Sequence, residues 1–201
     1  MVNIAVLISG GGTNLQSLID NINNGYEHGQ IKLVISNKKS AYGLERARKA
    51  NIEALFIKDE EILIQTLKDR NIDLIVLAGY LAIVSEKLIN LYTNRIINIH
   101  PSLIPSFAGP GCYGLRVHKM AYERGVKVAG ATVHFVTSEV DGGPIILQRA
   151  IDISKAQSPE ENQEMILLNI EHKILPEAVK LFCENKLKVI ERRVEILWKE
   201  H

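Results

Sequence analysis

The chain has 201 residues, 46% of them hydrophobic, with 24 lysines and arginines against 23 aspartates and glutamates. That length suits one sizeable domain, or one domain with a small appendage. A net charge of +1 gives no electrostatic reason to expect nucleic acid or an anionic membrane as partner. The two cysteines, Cys112 and Cys183, lie far apart and form no C-x-x-C pattern, which speaks against a disulfide framework or a zinc knuckle. The apolar run 2–8 is too short for a signal peptide or a membrane span and leads straight into glycines. The expectation is a cytoplasmic protein.

Residues 2–8 are nearly all apolar and rich in branched side chains, the pattern of a strand buried on both faces. Ser9-Gly10-Gly11-Gly12-Thr13-Asn14 follows, then a helical pattern with Leu15, Leu18 and Ile19 on one side. Strand, glycine loop and helix start make an anion-binding arrangement, since the backbone approaches closely and the first helical N–H groups point outward. Thr13 and Asn14 are also natural helix caps. The loop lacks the last glycine of G-x-G-x-x-G and the G-K-[ST] ending of a triphosphate loop. One phosphate of a small substrate fits it better than a dinucleotide; the alternative is a tight turn without a ligand.

Strands are expected at 31–36, 54–57 and 72–78, and a charged helix at 43–50. A second helix at 59–70 should turn Ile62, Leu63 and Leu67 inward. A short helix at 85–91 precedes a strand from 96 to 98. Strands alternating with helices predict an α/β fold with a doubly wound, mostly parallel sheet. In such sheets ligands bind beyond the carboxyl ends of the strands. The glycine loop, Gly79-Tyr80 and Asn98-Ile99-His100 all lie at such ends and are expected to converge. Asn98 and His100 stand two apart on an extended segment, so they share a face. An amide donor beside an imidazole suits oxyanion stabilisation and proton movement. The bland alternative is a strand end satisfying its own backbone.

Proline and glycine crowd the stretch 101–114, which reads as a long binding loop or lid. A helix at 117–124 carries His118, expected at the surface or as a cap. Residues 126–136 alternate as a strand with one polar face that includes Thr132 and His134, equally readable as a hydrogen-bonded sheet face or a binding face. Asp141-Gly142-Gly143-Pro144 is a turn before a return strand at 145–150; turn chemistry alone makes Asp141 structural. Ser158 caps a helix with Pro159 at its first position. That helix carries Ile166, Leu167, Ile170 and Ile174 on one face, with Glu171 and His172 midway and a kink or restart at Pro176. Residues 186–190 and 194–198 end the chain as short strands or an apolar tail.

The ordered set Ser9-Gly10-Gly11-Gly12-Thr13-Asn14-Leu15, Ser36-Asn37-Lys38, Gly43-Leu44-Glu45-Arg46-Ala47, Leu77-Ala78-Gly79-Tyr80, Asn98-Ile99-His100-Pro101-Ser102-Leu103, Val133-His134-Phe135-Val136 and Asp141-Gly142-Gly143-Pro144 resembles the phosphoribosylglycinamide formyltransferases, folate-dependent enzymes of purine synthesis. The resemblance spans nearly the whole chain. It implies a Rossmann-like formyltransferase fold with a C-terminal antiparallel hairpin and long helix. The chain would form a single formyltransferase domain, 1–201, with a phosphate-binding half at 1–100 and a catalytic and folate-binding half at 101–201.

By the same resemblance, Asn98, His100 and Asp141 are catalytic, the first two meeting an oxyanion and Asp141 assisting proton movement and holding His100. A carboxylate there is expected to raise the imidazole pKa. Gly12, Thr13 and Asn14 would hold the ribonucleotide phosphate, and Glu171 would contact the ribonucleotide. The folate would lie against Leu81, Ala82, Ile83 and Val84, Asn98, and the loop of Thr137, Ser138, Glu139, Val140 and Asp141. The co-substrate would be 10-formyltetrahydrofolate, with no metal. Partners would be small molecules only, without nucleic acid or membrane, in a monomer or weak homodimer. The segment 57–67 is shorter than the family's and lacks its basic residue, with Lys58 nearby. Ala82 stands where some members have arginine, and Arg116 where many have histidine. Hydrolysis of 10-formyltetrahydrofolate is the alternative activity.

Overall fold

A computed structural model describes residues 1–23 and 28–197. It resolves into two units, Met1–Ile97 and Asn98–His201.

The first unit is built on β1 (Val2–Ile8), whose central residues are fully buried. Around it come α1 (Thr13–Asn23), β2 (Gly29–Ser36), α2 (Gly43–Lys49), β3 (Glu53–Phe56), α3 (Glu60–Asp69), β4 (Leu74–Leu77) and α4 (Glu86–Leu91). The strands lie in the order β3-β2-β1-β4 and pair in parallel, as the alternation of strand and helix requires. β5 (Ile96–His100) begins at the end of this unit, where the Ile75 N–H donates to the Arg95 carbonyl at 2.9 Å. All four residues of β4 are buried, the signature of a strand covered on both faces. Each such leucine or isoleucine contributes roughly 1.5–3 kcal/mol on burial.

Helix starts follow their caps. The Asp59 carboxylate accepts from the Ile62 N–H, and the Ser85 hydroxyl from the Leu88 N–H. The inward face of α3 is Leu63, Ile64 and Leu67; Ile62, expected inside, is 59% exposed. Leu63 and Leu67 lie one turn apart, and the stripe they define passes through Ile64 rather than Ile62.

In the second unit, β5 ends at His100 and is followed by α5 (Leu115–Glu123), β6 (Val128–Phe135) and β7 (Ile145–Asp152). Then come α6 (Pro159–Ile166), a π turn (Leu167–Glu171), α7 (His172–Cys183), β8 (Leu187–Ile190) and β9 (Arg193–Ile196). The strand order runs β5-β6-β7-β9-β8, with β6/β7 and β8/β9 antiparallel. The expected antiparallel hairpin is therefore β6/β7, and the tail forms a second one. Trp198 lies outside the described residues.

The expected irregularity at Pro176 sits upstream. Pro176 is accommodated within α7, and the distortion is the π turn at Leu167–Glu171. Pro176 is the fifth residue of α7, and the helix holds α pitch from His172 onward. Glu171, in the π turn, is buried. His118, expected at the surface, is 1% exposed, because α5 packs along α6.

Candidate active site

The second unit gathers polar side chains at the end of β5. Asn98 Nδ2 lies 3.1 Å from His134 Nε2. His134 Nδ1 lies 2.9 Å from the Phe135 carbonyl, which can only accept, so Nδ1 carries the ring proton. In the tautomer protonated at Nδ1, the Asn98 amide N–H donates to Nε2. That fixes which way the Asn98 amide faces and leaves its second N–H and its carbonyl for a ligand. His100 Nε2 donates to the Phe107 carbonyl at 2.9 Å, so its Nδ1 faces Asp141 Oδ2 at 3.6 Å. Asp141 Oδ1 lies 3.7 Å from His134 Nε2, and Oδ2 accepts from the Gly109 N–H at 2.9 Å.

The Asp141 carboxylate thus stands between two imidazoles. Burial pushes its pKa up, but the His134 ring, the charge of His100 and the Gly109 N–H together hold it below the ordinary carboxylate value. His100 moves the other way from expectation. Its pKa is lowered from the ordinary 6.5, because burial outweighs the raising effects of Asp141 and of the Phe107 carbonyl, and His134 lowers it further. At neutral pH the site holds a charged carboxylate and an uncharged His100.

The backbone that presents these groups is specified by few residues. Asp141 has φ 55°, a left-handed conformation that aspartate tolerates better than most side chains. A Cβ on Gly143 would meet the Phe135 carbonyl oxygen at 1.8 Å, so only glycine fits the turn. Thr132, wholly buried, donates to the Ser102 carbonyl at 2.6 Å and accepts from the Ile104 N–H at 3.2 Å. It fastens the segment after His100 to β6, so the hydrogen-bonded sheet-face reading holds for Thr132. Beside the cluster lies a cleft of about 900 Å³, walled by Gly109, Ser138, Glu139, Val140 and Asp141, and by Arg192 and Arg193 at the far hairpin. Arg192 donates to Glu139 Oε2 at 3.0 Å and to the Gly142 carbonyl at 3.1 Å.

In the first unit, the glycine loop joins β1 to α1. Gly12 has φ +72°, and a Cβ there would lie 2.7 Å from Gly43 Cα; the loop and the start of α2 touch backbone to backbone. The Gly43 N–H donates to the Gly10 carbonyl at 3.1 Å, and Arg46 Nε to the Gly11 carbonyl at 2.8 Å. Ser9 Oγ donates to Asn37 Oδ1 and accepts from the Leu81 N–H. Thr13 is the first helical residue of α1 rather than its cap, and the Gln16 N–H reaches the Gly12 carbonyl at 2.9 Å. Leu81 is 51% and Ile83 87% exposed, with Ala82 exposed and Val84 partly so; they are surface residues after β4, not core.

Of the residues expected from sequence, Asn98, His100 and Asp141 stand together, and Ser138, Glu139 and Val140 line the cleft beside them; Thr137 does not line it. His134, left open in sequence, is part of the cluster. Arg46 braces the glycine loop, a role that its motif in sequence does not announce. Gly109 and Phe107 act through backbone atoms and carry no side-chain signal. Among the described residues no group of His, Cys, Asp and Glu is arranged to hold a metal ion, and no helix is long and apolar enough to cross a membrane.

A parallel α/β unit with a glycine loop after its first strand, and a second unit carrying an Asn/His/Asp cluster, agree with a match to the formyl transferase family model over residues 2–179, and the chain belongs to that family. It is 42% identical over 198 residues to phosphoribosylglycinamide formyltransferase of Haemophilus influenzae, covering 94% of this chain and 91% of that one. Glycinamide ribonucleotide transformylase 1 of Symbiobacterium toebii superposes with a TM-score of 0.91 at 44% identity, covering 98% of this chain and 95% of that one. A formyltetrahydrofolate deformylase of Pseudomonas syringae pv. tomato gives a TM-score of 0.87 at 27% identity, but the chain spans only 66% of it.

Proposed function

We propose that this chain transfers the formyl group of 10-formyltetrahydrofolate to the amine of N1-(5-phospho-D-ribosyl)glycinamide, giving the N2-formyl product and tetrahydrofolate in de novo purine synthesis. The observation that carries the reading is the charged Asp141 facing Nδ1 of an uncharged, buried His100 at 3.6 Å. A lone pair facing a carboxylate is unfavourable at rest and becomes favourable once Nδ1 takes a proton. The interaction therefore strengthens as the reaction proceeds, which is what lowers a barrier.

The amine nitrogen attacks the formyl carbon, a C–N bond forms, and the carbonyl oxygen becomes negative. The attacking nitrogen gives its proton to His100 Nδ1, and the free N–H of Asn98 and the imidazole so charged meet the negative oxygen. His100, held by Asp141, then gives that proton to N10 of the folate as the C–N10 bond breaks, the carbonyl re-forms, and tetrahydrofolate leaves. No covalent enzyme intermediate is needed. The ribonucleotide phosphate is assigned to the N–H groups of Gly12, Thr13 and Asn14, a glycine loop at a helix start. Glu171 is assigned to the ribonucleotide. The folate is assigned to Leu81, Ala82, Ile83, Val84, Asn98 and the Thr137, Ser138, Glu139, Val140 and Asp141 loop. The exposure of Leu81 and Ile83 supports a ligand-facing role, as does the cleft walled by Ser138, Glu139, Val140 and Asp141. No metal is called on. The setting proposed is the cytoplasm, with a monomer or weak homodimer acting on small molecules; the net charge of +1 supports the absence of nucleic acid.

Hydrolysis of 10-formyltetrahydrofolate is the second reading, favoured only by the deformylase likeness. Release of tetrahydrofolate measured with and without the ribonucleotide separates the two. Formyl transfer to the amine should exceed hydrolysis by orders of magnitude; equal rates would refute the proposal.

A further inference from the structure

Leu81, Ala82, Ile83 and Val84 form a stretch between β4 and α4 that belongs to neither helix nor strand. Ala82, Ile83 and Val84 make no backbone hydrogen bond with a described residue. Such a stretch has little of its own to hold it in one conformation, so whatever fixes its ends sets its position. Both ends are held by side chains from elsewhere in the first unit.

At the near end the holder is Ser9, the residue just before the glycine loop. Its N–H donates to the Gly79 carbonyl at 3.0 Å, and its hydroxyl accepts from the Leu81 N–H at 2.9 Å. The chain is thus gripped on both sides of Tyr80. The single proton of the hydroxyl goes to Asn37 Oδ1 at 2.7 Å, which turns a lone pair to Leu81. Ser9 is 4% exposed, so its contacts are shielded from competing water. At the far end the holder is Glu60, half-buried in the first turn of α3. Its Oε1 accepts from the Ser85 N–H at 3.1 Å, and Ser85 caps α4 through its own hydroxyl. The end of the stretch and the start of α4 are therefore pinned together.

We propose that Ser9 and Glu60 are positioning residues for the folate. By fixing the two ends of Leu81–Val84 they hold its unpaired backbone groups and exposed side chains where the folate meets them, and so spare the ligand the cost of ordering the stretch. The proposal rests on the assignment of that stretch to the folate. Freeing the stretch should cost the fold little, because Leu81, Ala82 and Ile83 are exposed and bury little apolar surface. The loss should fall on the ligand instead.

Formyl-transfer kinetics of the full chain, with calorimetric binding of tetrahydrofolate, test the proposal. Ser9→Ala should raise the folate KM about fivefold and Glu60→Ala about tenfold, one hydrogen bond lost in each and the stronger at the carboxylate. The dissociation constant of tetrahydrofolate should rise by the same factors. The ribonucleotide KM, and kcat at saturating folate, should each change by less than about twofold, a split that a general loss of structure would not give. Glu60→Gln keeps an oxygen acceptor and should restore most of the folate KM. Unchanged folate KM in both alanine variants overturns the proposal. Equal losses in folate KM, ribonucleotide KM and kcat overturn it as well, as does a Glu60→Gln variant as impaired as Glu60→Ala. If Ser9→Ala fails to fold, the two Glu60 variants still decide. An unaltered protein that binds no tetrahydrofolate overturns the folate assignment and the positioning role together. Normal binding by the unaltered protein and by the alanine variants alike overturns the positioning role alone.

Discussion

The glycine loop and the Asn98/His100/Asp141 cluster are built in opposite ways. The loop works with backbone: Gly12 touches Gly43 so closely that a side chain would not fit, and Arg46 braces the Gly11 carbonyl from α2. The cluster works with side chains, each oriented by a partner brought from elsewhere in the chain: His134 for Asn98, Phe107 for His100, Gly109 for Asp141. A backbone site tolerates little change of shape and is indifferent to proton inventory. A side-chain site tolerates isosteric exchange and depends on where each proton sits. Mutations should separate the two: shape changes in the loop should act on ribonucleotide affinity, and chemical changes in the cluster on turnover.

The largest effect is expected at the cluster. His100→Ala and Asp141→Asn should each lower kcat by about 10²–10⁴-fold, the range for a positioned proton-transfer group, with the melting temperature little changed. Near-normal kcat in either would end the role assigned to the pair. His134→Phe comes next. Without its lone pair the Asn98 amide is free to turn over, and kcat should fall on the order of tenfold to a hundredfold, with KM for the ribonucleotide nearly constant. A change confined to KM would place His134 outside the cluster's function.

Gly12→Ala forces a side chain into a left-handed conformation against Gly43, a strain of about 1–3 kcal/mol. It should raise KM for the ribonucleotide roughly tenfold while leaving the folate KM in place; equal loss of both would remove the distinction between the two sites. The smallest effect on activity is expected for His118→Leu, whose signature is in stability. The folded pKa of about 4 lies below the unfolded value of about 6.5. Its neutral form therefore supports folding above pH 6.5, and that contribution is lost as pH falls from 6.5 towards 4. The linked free energy is about 3 kcal/mol. Urea melts across that window should show a steeper acid loss in the unaltered protein than in His118→Leu; parallel curves would contradict the burial of a neutral ring.

The same contrast explains what could be read from sequence. The glycine loop is contiguous, so strand, glycines and helix start appear together in residues 2–19. Asn98 and His100 were visible because a strand's period of two places them on one face. Asp141 looked like ordinary turn chemistry and rose to notice only within the ordered set of motifs. His134 is ambiguous in sequence because its partner lies 36 positions away, and the lowered His100 pKa is hidden there because sequence shows local charge but not burial. His118 illustrates the same limit: α5 shows its own polarity, but its cover, α6, comes some forty residues later. Ile62 stands one step of helical phase outside the buried stripe of α3, an offset that a short amphipathic segment does not reveal.

The left-handed backbone at Asp141 narrows the substitutions available at that position in evolution. Asparagine and glycine suit the geometry but surrender the anion; glutamate keeps the anion but loses the short side chain that makes aspartate tolerable there. Conformation and chemistry independently select the same amino acid, so a lineage that abandons formyl chemistry could shed the charge in one step without refolding the turn. A lineage that later needed the acid again would find the peptide geometry still waiting for it.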